Sequence, residues 1–377
     1  MRYYYLDFAR GILMSLGVVI HAAQVFSLSP YHIKSKVTSI FYENIVFVIH
    51  SFRMQSFYII AGFFSILLIE KIGLRKFLIN RLKRLLLPML FCGICLNTVM
   101  NLFSNEYDGN LNFVFNVNYW LGGAWISHLW FIANLLVYVA LLSIIFFYKN
   151  IFNKLNLENK KINLFAIFIL VPTASFLLVR IGWRLPDWPF GEKFIIFNVS
   201  NIFYYFPYFA LGIVFYKNKR LYQSIFKYYY LFLFVSITLL IIIISVKYIG
   251  TYGRVIEILL GILALSNSFF IMSCFKKFFD SKSVIIKRLS DSSYTIYLLH
   301  QPIIVIVASY IVETKISNLF QFLSIIVITW TSSFLIHIIL IEKLNVLSIL
   351  LNGKNSIYKK NNYTPQFKKA EEENVVM

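Results

Sequence analysis

The sequence predicts an all-α polytopic membrane protein with about ten transmembrane helices and both termini in the cytoplasm. Three observations carry this reading. The 377 residues are 59% hydrophobic and 14% charged, with a mean hydropathy of +0.72, whereas soluble domains carry about 25% charged residues. Ten apolar segments are long enough to cross a hydrocarbon core of about 30 Å, which takes about 20 residues at 1.5 Å rise. The basic residues also alternate. Twenty-seven Lys and Arg fall in the termini and every second connection, eight fall in the other connections, and Arg53 is the remaining one. That alternation is the positive-inside pattern. The net charge of +20 is therefore a topology signal, so the expected partner is the lipid bilayer and not nucleic acid.

The segments run 11–29, 44–69, 85–104, 128–148, 163–181, 198–216, 228–246, 255–275, 292–312 and 318–341. The N-terminus, MRYYYLDFAR, runs straight into a full-length span without a small-residue cleavage site, so no cleavable signal peptide is expected. Segment 44–69 reads as one helix, with His50 and Arg53 three residues apart on one face. Cys92 and Cys95 read as two small buried thiols on one helix face, and no metal site is expected. The outer connection 105–127 holds Glu106, Asp108, Tyr119, Trp120 and Trp125 and no Lys or Arg. Its composition suits a loop that meets a sugar, although an aromatic belt explains the tryptophans equally well. A second outer connection, 180–193, is rich in Trp and Pro and reads as a cap on that face. Residues 1–345 form one transmembrane unit, and the polar stretch 346–377 reads as a disordered cytoplasmic tail.

With the topology set, the ionisable residues acquire depths. Arg10 lies at the inner end of span one, and His21 is eleven residues on, about 16 Å deeper. Arg53 costs at least about 2.5–3.5 kcal/mol at membrane depth. It therefore snorkels to the outer surface, pairs with a neighbouring helix for packing alone, or lines a site. His50 and His128 fall in the outer half and His300 near the middle, so the histidines and Arg53 share a depth on four separate helices. At the inner face, Arg81 and Arg84 are three apart with Pro88 one turn further in. Arginine forks suit bidentate phosphate contacts, although ordinary positive-inside charge accounts for the pair more simply when it is taken alone.

These positions carry a resemblance. LDFARGILMSLGVVIH (6–21) is similar to the opening motif of the membrane-bound acyltransferase family 3. RLKR (81–84) followed by Pro88 is similar to its paired-arginine motif, and SHLWFIANLLVY (127–138) and SSYTIYLLHQP (292–302) resemble its later signatures. HSFRMQSFYIIAGFFS (50–65) resembles the branch that succinylates osmoregulated periplasmic glucans. The resemblance implies an inner-membrane O-acyltransferase that binds no cofactor permanently and uses acyl-CoA, as succinyl-CoA or acetyl-CoA, as co-substrate. It implies further that Arg10, Arg81 and Arg84 hold the CoA phosphates and that His21 acts as general base. Arg53 then stabilises the oxyanion or binds the distal succinyl carboxylate. His50 and His300 orient the acceptor or relay protons, and His128 and Trp130 bind the acceptor, a periplasmic glucan or another polysaccharide. Direct attack on the thioester and passage through an acyl-enzyme both stay open. So do acetyl transfer to another cell-surface polysaccharide or glycolipid and, in a different class, a proton-coupled transporter of a glycan or anion.

Overall fold

In lipid every backbone polar group must be satisfied within its own segment, which turns long apolar runs into helices. The computed structural model describes residues 3–107, 109–147, 160–184, 193–194, 197–249, 253–281 and 283–354. Among them, ten helices are long and apolar enough to cross a membrane: Tyr4–Gln24, Ile40–Ile72, Leu74–Leu102, Ser127–Phe147, Leu164–Gly182, Val199–Lys217, Tyr229–Val246, Arg254–Phe279, Ile286–Ile311 and Asn318–Ile341. They are spans one to ten below. The chain is a multi-pass helical membrane protein. Span one begins at Tyr4, ahead of its apolar stretch, and accommodates Asp7 and Arg10 as an i, i+3 pair 3.8 Å apart. A short antiparallel ladder, Lys193–Phe194 with Phe197–Asn198, precedes span six.

Spans one, two and nine make the interior, with 61%, 78% and 61% of their apolar windows buried. Spans five, seven and ten have 22%, 17% and 28% and face outward. Span two lies directly on span six through two glycines. A Cβ on Gly62 would fall 2.0 Å from the carbonyl oxygen of Phe209, and one on Gly212 would fall 1.9 Å from that of Ile59. Small residues of this kind let two membrane helices touch backbone to backbone. Around the contact pack the fully buried Tyr58, Tyr138, Tyr208 and Phe209. Tyr58 and Tyr138 meet edge to face at 5.3 Å.

Several expectations need correction. Span two is two helices, Ile40–His50 and Arg53–Ile72, because Phe52 leaves helical geometry at φ −135°. Ser51 Oγ donates to the carbonyl of Val48 at 2.7 Å and accepts from Asn267 Nδ2 at 3.3 Å, offering the backbone an alternative to the helix ladder. His50 and Arg53 therefore do not share a face. His50 ends the first helix exposed, and Arg53 starts the second buried, at 6% exposure. Cys92 is buried but Cys95 is exposed. The turn Cys92–Asn97 is π-helical, so positions three apart no longer superpose. The tail boundary also moves, since Asn345–Asn352 is a helix with Ser348 and Leu351 buried. Residues 355–377, Asp108 and most of connection 180–193 lie outside the described residues.

Gly62→Val should destabilise the protein by more than the about 1–3 kcal/mol of an ordinary overpacked core, because the obstacle is a backbone carbonyl and not a movable side chain. The melting temperature of the detergent-purified protein reads this; an unchanged value would contradict the packing.

Candidate active site

Proline shapes the first part of the site. Pro88 has no N–H to offer the carbonyl of Arg84 four residues earlier, and the turn Leu82–Leu86 widens to π geometry. Tyr294 of span nine takes up that carbonyl, its hydroxyl donating at 2.7 Å. The widened turn holds Arg81 and Arg84 on one wall of a cavity of about 310 Å³, with Arg10 of span one beside them. The guanidinium of Arg10 lies 5.5 Å from the ring of Phe64 and that of Arg81 lies 5.3 Å from Phe77. Arg81 Nε is buried without a hydrogen-bond partner. Three guanidinium groups converge here, with Lys354 also on the lining and the carboxylates of Asp7, Asp291 and Glu342 beside them, and the arginine forks suit a polyanion.

From this cavity a narrow apolar neck of about 60 Å³ leads inward. It shares Arg10, Arg81, Leu85 and Tyr294 with the cavity and adds Met14, Phe57, Phe64, Phe131 and Leu135. Met14 is one helical turn from Gly17, and Phe57 is one turn from Arg53. The neck thus points along spans one and two towards the second cluster.

That cluster gathers His21, Arg53, His128 and His300. Arg53 Nε donates to the carbonyl of Leu13 at 2.9 Å, and Gly17 is what lets it approach. A Cβ on Gly17 would lie 2.6 Å from Arg53 Nη2 and 3.1 Å from His300 Nε2. Among the described residues no carboxylate lies within ion-pair distance of Arg53. The ring of His300 lies 5.1 Å from that of His21 and 5.0 Å from that of His128. His300 Nδ1 donates to the carbonyl of Tyr297 at 2.5 Å, which leaves Nε2 as an unprotonated acceptor, buried and without a partner. His21 Nδ1 donates to Gln24 Oε1 at 2.7 Å, so its Nε2 is likewise the basic nitrogen. Three imidazoles near one another suggest a metal. Yet no group of three His, Cys, Asp or Glu among the described residues is arranged to hold one.

The opposite face opens a third space. A cavity of about 420 Å³ is lined by His32, Asn101, Glu106, Ser127, Trp130, Asn198 and Asn201, among others. Trp130 stacks on Tyr205 at 5.7 Å. Ser127 has φ +43°, a strained conformation held by Gln301, whose Nε2 donates to Ser127 Oγ at 3.1 Å. It turns the chain so that Trp130 meets the cavity while neighbouring His128 points inward, at 5% exposure. His21 stacks on Tyr31 at 5.9 Å, and Tyr31 meets His32 at 5.2 Å, a bridge from the cluster to this cavity. Burial holds the His32 imidazole below its usual pKa, and the Glu106 carboxylate partly opposes this. The loop tryptophans are occupied in packing. Trp120 Nε1 donates to Val114 and Trp125 Nε1 to Trp120, so Trp130 is the indole that lines the cavity.

A family model described as an acyltransferase domain matches residues 3–338, which contain all three spaces' arginines, histidines and Trp130. The chain belongs to the acyltransferase 3 family. It is a membrane-embedded O-acyltransferase. Among curated relatives, Glucans biosynthesis protein C of Escherichia coli (strain SMS-3-5 / SECEC) is 26% identical over 395 residues, covering 97% of this chain and 98% of the relative. The protein of the same name from strain K12 matches with the same identity and coverage. No solved structure matches.

The structure therefore brings Arg10, Arg81 and Arg84 to one cavity, His21, Arg53, His128 and His300 to one cluster, and Trp130 to the far cavity. His50 ends its helix solvent-exposed at the edge of the cluster, near enough to Arg53 and His21 to feel their charge. Sequence reasoning did not reach Gln24, Gly17, Tyr297 or Ser127. Gly17, Ser127 and Tyr297 lie within the motif strings 6–21, 127–138 and 292–302 without standing out in them, and Gln24 carried a signal of its own, a carboxamide three residues after a histidine on one helix face. Its backbone carbonyl is pinned by Ser27 Oγ at 3.1 Å and Lys34 Nζ at 3.2 Å. It positions His21 as an outer-shell carboxylate or amide positions a working imidazole, a contact whose loss typically costs about 10–100-fold. Gln24→Leu should accordingly lower the turnover number by about 10–100-fold with little change in donor affinity, and Gln24→Glu should recover most of it. Equal activity of Gln24→Leu and the native chain would show that the tautomer is set otherwise.

Proposed function

We propose that this acyltransferase moves an acyl group, succinyl above all, from cytoplasmic acyl-CoA to hydroxyls of an extracytoplasmic glucan in the inner membrane. The observation that carries the reading is the succession of a cationic cavity, an apolar neck that shares its lining, a buried cluster of histidines with Arg53, and a polar cavity on the opposite face. The alternation of basic connections supports a cytoplasmic position for the arginine cavity. The relatives' name, Glucans biosynthesis protein C, supports a glucan as the acceptor class.

The chemistry follows from the residues. Arg10, Arg81 and Arg84 hold the donor's phosphates, and the apolar side chains of Met14, Phe57 and Phe131 line the route along which a pantetheine arm would enter once they move apart. The thioester then lies between Arg53 and His21. An acceptor hydroxyl entering past Trp130 and Tyr31 attacks the thioester carbon while its proton passes to His21 Nε2. The carbonyl oxygen becomes an oxyanion beside the guanidinium of Arg53. Collapse breaks the carbon–sulfur bond, expels the CoA thiolate and returns the proton from His21 to sulfur. The ester and CoA are the products, and no covalent enzyme intermediate is required. The buried guanidinium also suits the second carboxylate of a succinyl group, which favours that donor over acetyl.

Calorimetric titration of the purified protein with succinyl-CoA, acetyl-CoA and CoA tests the donor. Succinyl-CoA should bind most tightly; no binding of any of the three to folded protein would overturn the reading. Arg81→Ala and Arg84→Ala should each weaken donor binding about 10–100-fold, the scale of a lost charge-assisted hydrogen bond, with a smaller effect on turnover. A loss confined to turnover would place these arginines elsewhere in the mechanism. His21→Ala should reduce transfer by about 10²–10⁴-fold, measured as ester formed on isolated glucan. Arg53→Gln should damage succinyl transfer far more than acetyl transfer, and equal losses with the two donors would assign the guanidinium to the oxyanion alone.

A further inference from the structure

The arginine cavity is closed on one side by residues beyond the family domain. The match ends at residue 338, yet Ile341, Glu342, Ser348, Asn352 and Lys354 also line the cavity. They come from the end of span ten and from the helix Asn345–Asn352. Gly353 ends that helix at φ +62°. A Cβ there would lie 2.2 Å from the carbonyl oxygen of Lys83 and 2.9 Å from Cα of Arg84. The C-terminal helix is thus seated on the backbone of the very turn that carries the paired arginines.

The two walls differ in character. One presents three guanidinium groups. The other presents the buried Ser348, the amide of Asn352, His337 and the carboxylate of Glu342, with Lys354 at the exposed rim. This second wall is pre-arranged, for His337 Nδ1 lies 2.8 Å from Thr295 Oγ1 and its Nε2 lies 3.5 Å from Glu342. The first wall, three guanidinium groups against Asp7 and Asp291, draws phosphate more strongly than the second, where Lys354 at the rim is offset by Glu342. A nucleotide-bearing donor whose phosphates meet the arginines therefore turns its uncharged base towards the C-terminal helix. Asn352 offers a carbonyl acceptor and an amide donor side by side, the pattern that pairs with N6 and N7 of adenine. Its Oδ1 is engaged by Thr295 Oγ1 at 3.5 Å, the outer limit of a hydrogen bond and readily exchanged for a better one.

We infer that the C-terminal helix forms the base-recognition wall of the donor site and that Asn352 reads the adenine edge of the acyl donor, an assignment that rests on the donor reading above. The full-length protein in detergent is titrated with succinyl-CoA, with its hypoxanthine analogue and with S-succinyl phosphopantetheine, which lacks the nucleoside. The native protein should bind the hypoxanthine analogue about tenfold more weakly than succinyl-CoA. Asn352→Ala should lose about tenfold in affinity for succinyl-CoA, keep its affinity for S-succinyl phosphopantetheine, and no longer distinguish the two bases. Equal binding of the two bases by the native protein, or an equal loss of all three ligands in the variant, would overturn the assignment. Loss of succinyl-CoA binding in Arg81→Ala alongside unchanged binding in Asn352→Ala would remove the base wall and leave the donor reading standing. Absence of succinyl-CoA binding in the native protein would remove both.

Discussion

Arg53 is the charge around which the interior is built. It is 6% exposed within an apolar helix, and its partner is a carbonyl, Leu13, at 2.9 Å. A neutral acceptor satisfies one donor of the guanidinium but not its charge, and burying an uncompensated cation is among the least favourable arrangements a protein can hold. Three features of the fold make it tolerable. The break at Ser51 and Phe52 turns Arg53 inward, Gly17 opens room for the guanidinium against span one, and unprotonated nitrogens of His300 and His21 turn towards the same region. What the arrangement lacks among the described residues is an anion. In the function proposed above, an acyl-transfer oxyanion or a dicarboxylic acyl group would supply that anion, so the buried charge would favour the reacting state.

The division into two wet cavities and a dry neck follows from the same constraint. A thioester that met bulk water on both sides would be exposed to hydrolysis, and a membrane with a continuous polar path would leak. Met14, Phe57, Phe64 and Phe131 keep the space between the arginines and the histidines narrow and apolar, which strengthens every charge interaction at its inner end. Beyond it, Trp130, Asn198 and Asn201 present stacking and amide groups to the other face, chemistry that suits a carbohydrate better than a lipid.

Much of this was legible in the sequence, and the reasons for the rest are physical. Ten spans and the depth of His21, Arg53, His128 and His300 follow from length and hydropathy, signals that the bilayer imposes uniformly. The helix break between His50 and Arg53 did not show, since neither glycine nor proline marks it and Ser51 acts only with Asn267 of another span beside it. The eight residues Asn345–Asn352 are too short for helical propensity to declare them; their helix exists because Leu351 and Ser348 find a buried seat. Tyr297 looked like one more aromatic among 25 tyrosines. Its value lies in where its carbonyl and ring fall in space, 5.6 Å from both His128 and His300. The indoles of Trp120 and Trp125 misled in the opposite direction, because composition cannot tell an N–H spent inside a loop from one offered to a ligand.

The prolines tie these elements together. In a soluble protein water takes a carbonyl that proline leaves unserved, whereas in a membrane another side chain must. Pro88 leaves the carbonyl of Arg84 open, and Tyr294 of span nine donates to it. Pro302 leaves that of Leu298 open, beside the buried ring of His128 from span four, whose nitrogens have no hydrogen-bond partner. The first vacancy therefore draws a side chain from another span to a position beside the paired arginines, and the second lies next to the histidine cluster. Span nine takes part in both, and its residues from Tyr294 to His300 run from the arginine cavity to the histidines. Replacing Pro88 by alanine would give the carbonyl of Arg84 its own helical partner and release Tyr294, which explains why a helix-breaking residue stands where the site requires fixed geometry instead of where the chain could bend freely.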